Sequence, residues 1–162
     1  MKTNEQATAY IKTPLGIAQI TGDENGISII SIADEGEISP EIPVVLQEGV
    51  TQLQGYFDGK RTTFDFKLNP KGTEFQQKVW QTLLEIPFGK TCSYMDLSKK
   101  LGDVKAIRAV ASANGKNPLW IVVPCHRVIG TDGSLTGYAG GLWRKKWLLE
   151  HENPSRKQEL LF

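Results

Sequence analysis

The fold of the C-terminal half is decided by residues 93–114, which read SYMDLSKKLGDVKAIRAVASAN. Ser93, followed three residues later by an acidic side chain, gives a capping-box pattern that predicts a helix from Tyr94 to Leu101. Gly102 then favours a tight turn, and Asp103 is a typical N-cap for a second helix. Two short helices joined by a glycine-containing turn indicate a helix-turn-helix. Because such helical hairpins also occur in proteins that do not bind DNA, the pattern alone leaves DNA binding open.

The second helix, predicted from Val104 to about Asn114, is unusual for a helix that reads the major groove. Apart from Arg108, its central part offers no long polar side chain that could reach base edges. Its small residues would allow a close approach to a narrow groove that is recognised mainly by shape. The alternative is a buried alanine-rich packing helix, which the helix taken alone slightly favours.

Helices are also predicted on either side of this region. Upstream, Thr73 begins a helix with a second capping box, and Pro87 and Gly89 end it. Downstream, the last predicted helix runs from Leu142 to Glu152. The apolar stripe of the upstream helix comprises Phe75, Val79 and Leu83.

The N-terminal half is predicted to be a strand meander with one helix. The Asn25-Gly26 pair is typical of a hairpin turn between two strands. A helix is expected to begin at Ser39-Pro40 and to end before Gly59. No residue type here is an obvious nucleophile, base or metal ligand, so we expect a structural scaffold. The predicted strands cover residues 8–12, 16–21, 26–32 and 62–68.

Composition and charge indicate a globular chain of two parts. The 162 residues are 40% apolar and 23% charged, which excludes disordered and fibrous classes. Residues 1–70 carry 5 Lys/Arg and 10 Asp/Glu, whereas residues 71–162 carry 14 and 8. A basic half is typical of a surface that faces a nucleic acid duplex. An ordinary charged surface exposed to solvent would explain the same excess of basic residues equally well. Because charge and element type both change near residues 69–72, we predict domains over 1–70 and 71–162.

Cysteine usage and hydropathy predict the compartment. No stretch is long and apolar enough for a membrane span, and the N-terminal MKTNEQATAY lacks the apolar segment of a secretory signal. Cys92 and Cys125 are too few for a disulfide framework, and with His126 and His151 they do not fit common zinc spacings. We therefore expect an intracellular, cytoplasmic protein with reduced thiols and no metal.

Cys125 is the candidate nucleophile. It follows the apolar run at residues 119–123, where a cysteine is usually an inert buried side chain. Its neighbours favour reactivity, because His126 comes next and the glycines of residues 130–141 predict a loop that bends around a ligand. A thiol with a free pKa of about 8.5 needs a base or a positive neighbour to ionise near neutral pH. His126 is placed to help directly or through a water, and Glu152 is a candidate carboxylate to fix its tautomer.

These residues belong to a longer series of motifs. The series comprises PCHRV at 124–128, GYAGG at 137–141, WLLEHE at 147–152, GTEFQ at 72–76, VW at 79–80, IPFGK at 86–90, SY at 93–94 and Asn117. Over about residues 72–152 it closely resembles the O6-alkylguanine-DNA alkyltransferases, in family order and at family-like spacing. The resemblance implies an α+β fold: an N-terminal strand-rich (ribonuclease H-like) α/β domain plus a C-terminal helical domain with a helix-turn-helix.

The resemblance also implies single-turnover DNA repair. In such a protein Cys125 takes the alkyl group from O6 of guanine, and also from O4 of alkylated thymine, and keeps it as a thioether without any cofactor. His126 acts as the base through a bridging water, and Glu152 holds His126. Tyr94 supplies a proton to the leaving base, and Asn117 ties a helix end to the active-site turn by side-chain hydrogen bonds. The N-terminal domain would be the scaffold and residues 71–162 the DNA-binding and alkyl-transfer domain.

The implied partner is double-stranded DNA containing O6-alkylguanine, bound by a monomer. A buried thiol can reach the lesion only if the nucleotide rotates out of the duplex, and Arg108 is the implied arginine finger that fills the gap. Residues 1–91 contain no cysteine or histidine, so the zinc site that some members hold there has no ligands in this chain. The implied pocket residues are Tyr138, Ala139 and Val128, and the implied DNA contacts are Arg108, Ser93, Tyr94, Ala109 and Ala111.

Two other functions remain open at this point. A non-catalytic helix-turn-helix protein that binds lesions would not need Cys125, although a related non-catalytic group carries tryptophan at that position. A thiol hydrolase of peptides or esters would use the same cysteine with repeated turnover. Trp120 stands where proline is frequent in relatives, and Asn114 where some carry methionine, which affects the expected tolerance for inhibitors and bulky adducts.

Overall fold

The structure is a computed structural model that describes residues 5–155. The chain divides between Lys71 and Gly72 into two compact units. Within residues 5–155, no helix is long and apolar enough to cross a lipid bilayer.

The first unit contains a three-stranded antiparallel sheet in the order β1-β2-β3. Its strands are β1 (Ala7–Thr13), β2 (Gly16–Asp23) and β3 (Gly26–Ala33). The hairpin between β2 and β3 forms where the Asn25-Gly26 pair predicted it, and Gly26 has a φ of +129°, which favours glycine. The three strands of the predicted meander are thus confirmed.

One face of this sheet supplies most of the apolar core. The register places Ile20 opposite Ala9 on one side and opposite Ile30 on the other, and all three are fully buried. Helix α1 (Val44–Phe57) packs on the sheet. Its buried residues are Leu46, Gly49, Val50, Gln52, Leu53 and Tyr56.

Two predictions for the first unit are wrong. The helix expected from Ser39-Pro40 begins only at Val44, because Pro43 disfavours helical backbone in the residue before it. Ser39 instead extends the edge of β1, where its N–H donates to the Tyr10 carbonyl at 2.9 Å.

The segment 62–68, expected to be a strand, makes only an isolated parallel bridge between Leu68 and Ile27. Upstream of that bridge, the segment is hydrogen-bonded to the buried side-chain amide of Gln52 rather than to a neighbouring strand. Gln52 Oε1 accepts from Asp65 N at 3.0 Å, and its Nε2 donates to Asp65 Oδ1 at 2.5 Å. Side-chain bonding to a helix thus replaces ladder bonding over part of this segment.

The second unit begins with the predicted helices. They are α2 (Glu74–Leu83), α3 (Tyr94–Lys100) and α4 (Ile107–Gly115), with a 3₁₀ turn at Val104–Ala106 before α4. Both predicted capping boxes form, at Thr73 and at Ser93. The second helix of the helix-turn-helix starts as a tighter turn, in which Asp103 Oδ1 accepts from the Lys105 N–H at 2.9 Å.

The chain after α4 returns to the start of α3. A 3₁₀ turn at Cys125–Arg127 leads into β5 (Val128–Ile129), which pairs in parallel with β4 (Cys92–Ser93). Helix α5 then runs over Leu142–Glu152, with the predicted bounds. The short β4–β5 ladder therefore fastens the turn that carries Cys125 to the beginning of the helix-turn-helix.

Candidate active site

Cys125 is buried and, in the absence of substrate, neutral. It opens the 3₁₀ turn after Pro124 and is 5% exposed. Burial raises the pKa of the Cys125 thiol to about 11, although hydrogen bonding from Asn117 and the charge of Lys145 pull it down. The reactive form therefore has to be generated when the site is used.

Asn117 holds the backbone that leads to this thiol. Its Nδ2 donates to the Val123 carbonyl at 2.8 Å and to the Leu119 carbonyl at 3.3 Å, and its Oδ1 accepts from Leu119 N at 2.9 Å. The bridged segment contains Ile121, a fully buried β-branched residue with a φ of +75°. Such a conformation persists only where its surroundings fix it. Asn117 thus ties the end of α4 to a strained turn in front of Cys125.

His126 and Glu152 form a buried pair. His126 Nε2 lies 2.7 Å from Glu152 Oε2, and the side chains are 0% and 1% exposed. Burial alone would raise the pKa of Glu152, but His126 and Arg127 hold it well below its usual range. Burial lowers the pKa of His126, and Glu152 opposes that shift without reversing it.

These shifts assign the histidine tautomer. A neutral His126 beside an ionised Glu152 has to carry its proton on Nε2 and donate it to the carboxylate. Nδ1 of His126 is then the ring atom with a lone pair. Within residues 5–155 this atom is buried and has no hydrogen-bond partner. Nδ1 is therefore the ring atom of a neutral His126 that can accept a proton.

Arg127 was missed by the sequence analysis as a site residue. Its Nε and one terminal nitrogen donate to the two Glu152 oxygens at 2.7 and 3.0 Å, and its other terminal nitrogen donates to the Ile86 carbonyl at 2.7 Å. The Arg127 guanidinium, paired with both carboxylate oxygens, fixes the position of Glu152 and, through it, the ring of His126. The only available signal was the sequence adjacency of Arg127 to His126.

Cys125 lies in the wall of a cavity of about 470 Å³. On one side α4 lines it with Arg108, and on the other side the loop before α5 lines it with Tyr138. The Tyr138 hydroxyl is buried without a partner in the described residues, and burial raises its pKa well above its ordinary value. The other lining residues are Tyr94, Ile107, Ala111, Asn114, Gly115, Thr136, Gly137 and Ala139.

Tyr94 has a defined orientation in this wall. Its hydroxyl is 3.4 Å from the Thr136 carbonyl, to which it donates. Burial raises the pKa of Tyr94, while hydrogen bonds with Thr136 and Asn114 lower it. The phenol of Tyr94 therefore stays protonated at neutral pH.

The remaining predicted residues lie in different places. Ala109 is exposed on α4, whereas Ser93 caps α3. Val128, expected to line the pocket, is instead fully buried in β5, where its backbone carbonyl accepts a hydrogen bond from Lys145. Lys145 is a second residue that the sequence analysis missed, because a lysine on an amphipathic helix ordinarily indicates a solvated face.

Fold and site together define a class of protein: a helix-turn-helix unit with a buried thiol in a cavity that its second helix lines. Two models of 6-O-methylguanine DNA methyltransferase match this chain, that of the ribonuclease-like domain at residues 7–70 and that of the DNA-binding domain at residues 74–154. This chain belongs to that family.

Individual relatives agree with the family match. A methylated-DNA–protein-cysteine methyltransferase of Methanosarcina acetivorans is 44% identical over 151 residues, which cover 89% of this chain and 96% of the relative. The crystal structure of the Mycobacterium tuberculosis O6-methylguanine methyltransferase has a TM-score of 0.83 at 41% identity, covering 93% of this chain and 94% of that one. A complex of the Mycobacterium tuberculosis protein with DNA has a TM-score of 0.83 at 42% identity, covering 91% and 92%.

Proposed function

We propose that this protein repairs DNA by moving the alkyl group of O6-alkylguanine directly and irreversibly to Cys125. The observation that carries the proposal is the buried Cys125 thiol in the wall of a cavity lined on one side by the second helix of a helix-turn-helix. A sulfur nucleophile suits displacement at an alkyl carbon, and its thioether product is stable. Each molecule therefore reacts once and needs no cofactor.

The first step is removal of the thiol proton. With a pKa of about 11, Cys125 is ionised in only about one molecule in ten thousand at neutral pH. His126 Nδ1 takes the proton through a water, and Glu152 accepts the hydrogen bond from Nε2 and stabilises the imidazolium that results. Arg127 keeps the Glu152 carboxylate in place during this step.

The second step is transfer of the alkyl group. The sulfur electron pair forms the S–C bond while the C–O6 bond breaks, and the released electron pair stays on the purine. Tyr94 donates its hydroxyl proton to the resulting guanine anion and regains one from solvent. His126 releases the proton it accepted to solvent, so in sum the thiol loses one proton, the repaired base gains one, and charge balances. The same chemistry applies to O4-alkylthymine.

DNA has to present the lesion as an extruded nucleotide, because the thiol is 5% exposed. Arg108 is exposed on α4 and also lines the cavity, which suits a side chain that enters the duplex when the base leaves it. The small Ala109 and Ala111 allow α4 to approach the groove closely. Ser93 and Tyr94 at the start of α3 complete the proposed contact surface.

We further propose that the protein acts as a cytoplasmic monomer on double-stranded DNA. Basic residues outnumber acidic ones by 14 to 8 over residues 71–162, which favours attraction to phosphates. A non-catalytic protein that only binds lesions would explain the helix-turn-helix but not the base-ready His126 beside a buried thiol.

The test is intact-mass analysis after incubation with a duplex containing O6-methylguanine. We expect one methylene unit of added mass per molecule, located on Cys125 by peptide mapping. The matched control is Cys92→Ser, which should still gain the adduct, whereas Cys125→Ser should not. An adduct on Cys92, repeated turnover, or no adduct with the intact protein would overturn the proposal.

A further inference from the structure

Asn114 brings a side-chain carbonyl without a partner into the wall of the cavity beside Cys125. It lies in the last turn of α4, is 4% exposed, and shares with Ile107 and Ala111 the helix face that lines the cavity. Its Oδ1 is buried and accepts no hydrogen bond within residues 5–155. Buried polar atoms are almost always paired, so an acceptor left open beside a substrate cavity indicates that the ligand supplies the donor.

The orientation of the Asn114 amide follows from its neighbour Tyr94. The Tyr94 hydroxyl donates its only proton to the Thr136 carbonyl, so in its contact with Asn114 it can only accept. Burial raises the pKa of Tyr94 and the Asn114 hydrogen bond lowers it, as expected when Nδ2 donates to the phenol oxygen. The other end of the amide, Oδ1, is therefore an acceptor held next to the Tyr94 hydroxyl.

An extruded O6-alkylguanine can meet this acceptor in one way only. Alkylation at O6 leaves N1 without a proton, N3 and N7 are likewise acceptors, and N9 is bonded to the sugar. The exocyclic 2-amino group is thus the single hydrogen-bond donor of the base. O4-alkylthymine has no donor, because its N3 carries no proton and its O2 is an acceptor. The open Oδ1 of Asn114 therefore matches the guanine lesion and not the thymine lesion.

We propose that Asn114 is a specificity-determining residue, whose Oδ1 accepts a hydrogen bond from the 2-amino group of the extruded base and so favours guanine lesions over thymine lesions. This inference rests on the proposed function, in which Cys125 is the alkyl acceptor. No bond is made or broken at Asn114. Because ring nitrogens flank the amino group, its binding to Asn114 brings one of them beside the Tyr94 hydroxyl, the proton donor of the proposed second step.

The same geometry predicts how a base without the amino group behaves. Such a base displaces water from the cavity but offers no donor to Oδ1, which is then buried and unpaired. A site built to bind a donor discriminates against the analogue that lacks it for this reason. The loss appears in the rate of transfer, because the unpaired acceptor is present throughout the reaction.

The experiment compares two duplexes that differ only by this amino group. Single-turnover methyl transfer is measured from O6-methylguanine and from O6-methylhypoxanthine in the same sequence, and the ratio of the two rates is taken for each protein. We expect the parent to prefer O6-methylguanine about tenfold. Asn114→Leu keeps the size and removes the amide, so its ratio should be about tenfold smaller. The matched control is Ser112→Ala, an exposed position on the same helix, which should keep the parent ratio.

The ratio separates recognition of the base from a general loss of structure. Asn114→Leu also removes the donor to Tyr94, but a disturbance of Tyr94 or Cys125 slows both substrates alike and leaves the ratio unchanged. Asn114→Leu should also raise the rate on O4-methylthymine relative to O6-methylguanine, because the carbonyl that faces the thymine O2 is gone.

Asn114→Met, with the same expected ratio, is the second variant if Asn114→Leu does not fold. Equal ratios in the parent and in a folded variant would overturn the inference and leave the proposed function intact. A parent that reacts equally fast with both purines would do the same without any variant. If the parent receives no methyl group from either duplex, the proposed function fails and this inference fails with it.

Discussion

Replacement of Glu152 by glutamine tests the buried network directly. The substitution keeps the shape but removes the charge that pairs with Arg127, whose side chain is 7% exposed. Leaving one partner of a buried ion pair uncompensated costs about 3–5 kcal/mol. Because folded domains are stable by only about 5–15 kcal/mol, Glu152→Gln should lose a large part of the total. The glutamine amide can either accept a hydrogen bond from His126 or donate one to it, so the ring proton of His126 is no longer fixed on Nε2. Methyl transfer should therefore slow by about a hundredfold.

Urea unfolding followed by tryptophan fluorescence measures the stability loss. All 4 tryptophans lie beyond Lys71, so the signal reports the second unit. The matched control is Glu85→Gln, whose carboxylate pairs with Lys100 at 2.9 Å while both side chains are 58% exposed. That exposed pair is worth about 0–1 kcal/mol.

The double variant of Arg127→Met with Glu152→Gln separates two explanations. If the cost arises from an unpaired buried charge, the double variant should lose less than the sum of the two single losses. A Glu152→Gln variant that is no less stable than Glu85→Gln would refute the reasoning, as would strictly additive single losses.

Three further perturbations test other parts of the site. Arg108→Ala should slow methyl transfer from a duplex by about tenfold or more but leave reaction with free O6-methylguanine nearly unchanged, because only the duplex requires base extrusion. Lys116→Ala controls for the loss of one positive charge. Equal losses of rate on both substrates would contradict the proposed role of Arg108 in base extrusion. Asn117→Leu should lower the free energy of unfolding in urea by about 1–3 kcal/mol, because two buried carbonyls lose their donor. An unchanged free energy of unfolding would show that the strained turn does not depend on Asn117. Burial lowers the pKa of His126 from 6.5, so below that pH the unfolded chain binds more protons than the folded chain, and the unfolding free energy should fall as the pH is lowered. The fall should be smaller in His126→Asn. Identical slopes of unfolding free energy against pH in the two proteins would refute the assignment of a neutral buried His126.

Local signals in the sequence predicted the helices of the second unit well. The capping boxes at Thr73 and Ser93 are satisfied by atoms within four residues, so neighbouring residues suffice to specify them. The same reasoning failed at Ser39, whose backbone pairs with Tyr10, 29 positions away. It failed again at residues 62–68, where the side chain of Gln52 replaces ladder bonds. In both cases a partner distant in sequence decided the structure, and no local pattern contains it.

The candidate site likewise combines residues that a local motif reveals with residues whose role depends on the fold. Cys125 and His126 are recognised from a pentapeptide, but their protonation depends on groups that the fold brings from α5. Lys145 looks like a surface residue in the sequence, and the sequence analysis did not select Arg127 as a site residue, yet both are buried and bind backbone or carboxylate. Under the proposed function, this arrangement explains how a thiol that reacts only once persists until it meets its substrate. A pKa of about 11 keeps Cys125 neutral and slow to react with small electrophiles. Burial therefore protects Cys125, because the thiol reacts only after its proton has moved to a neighbouring base.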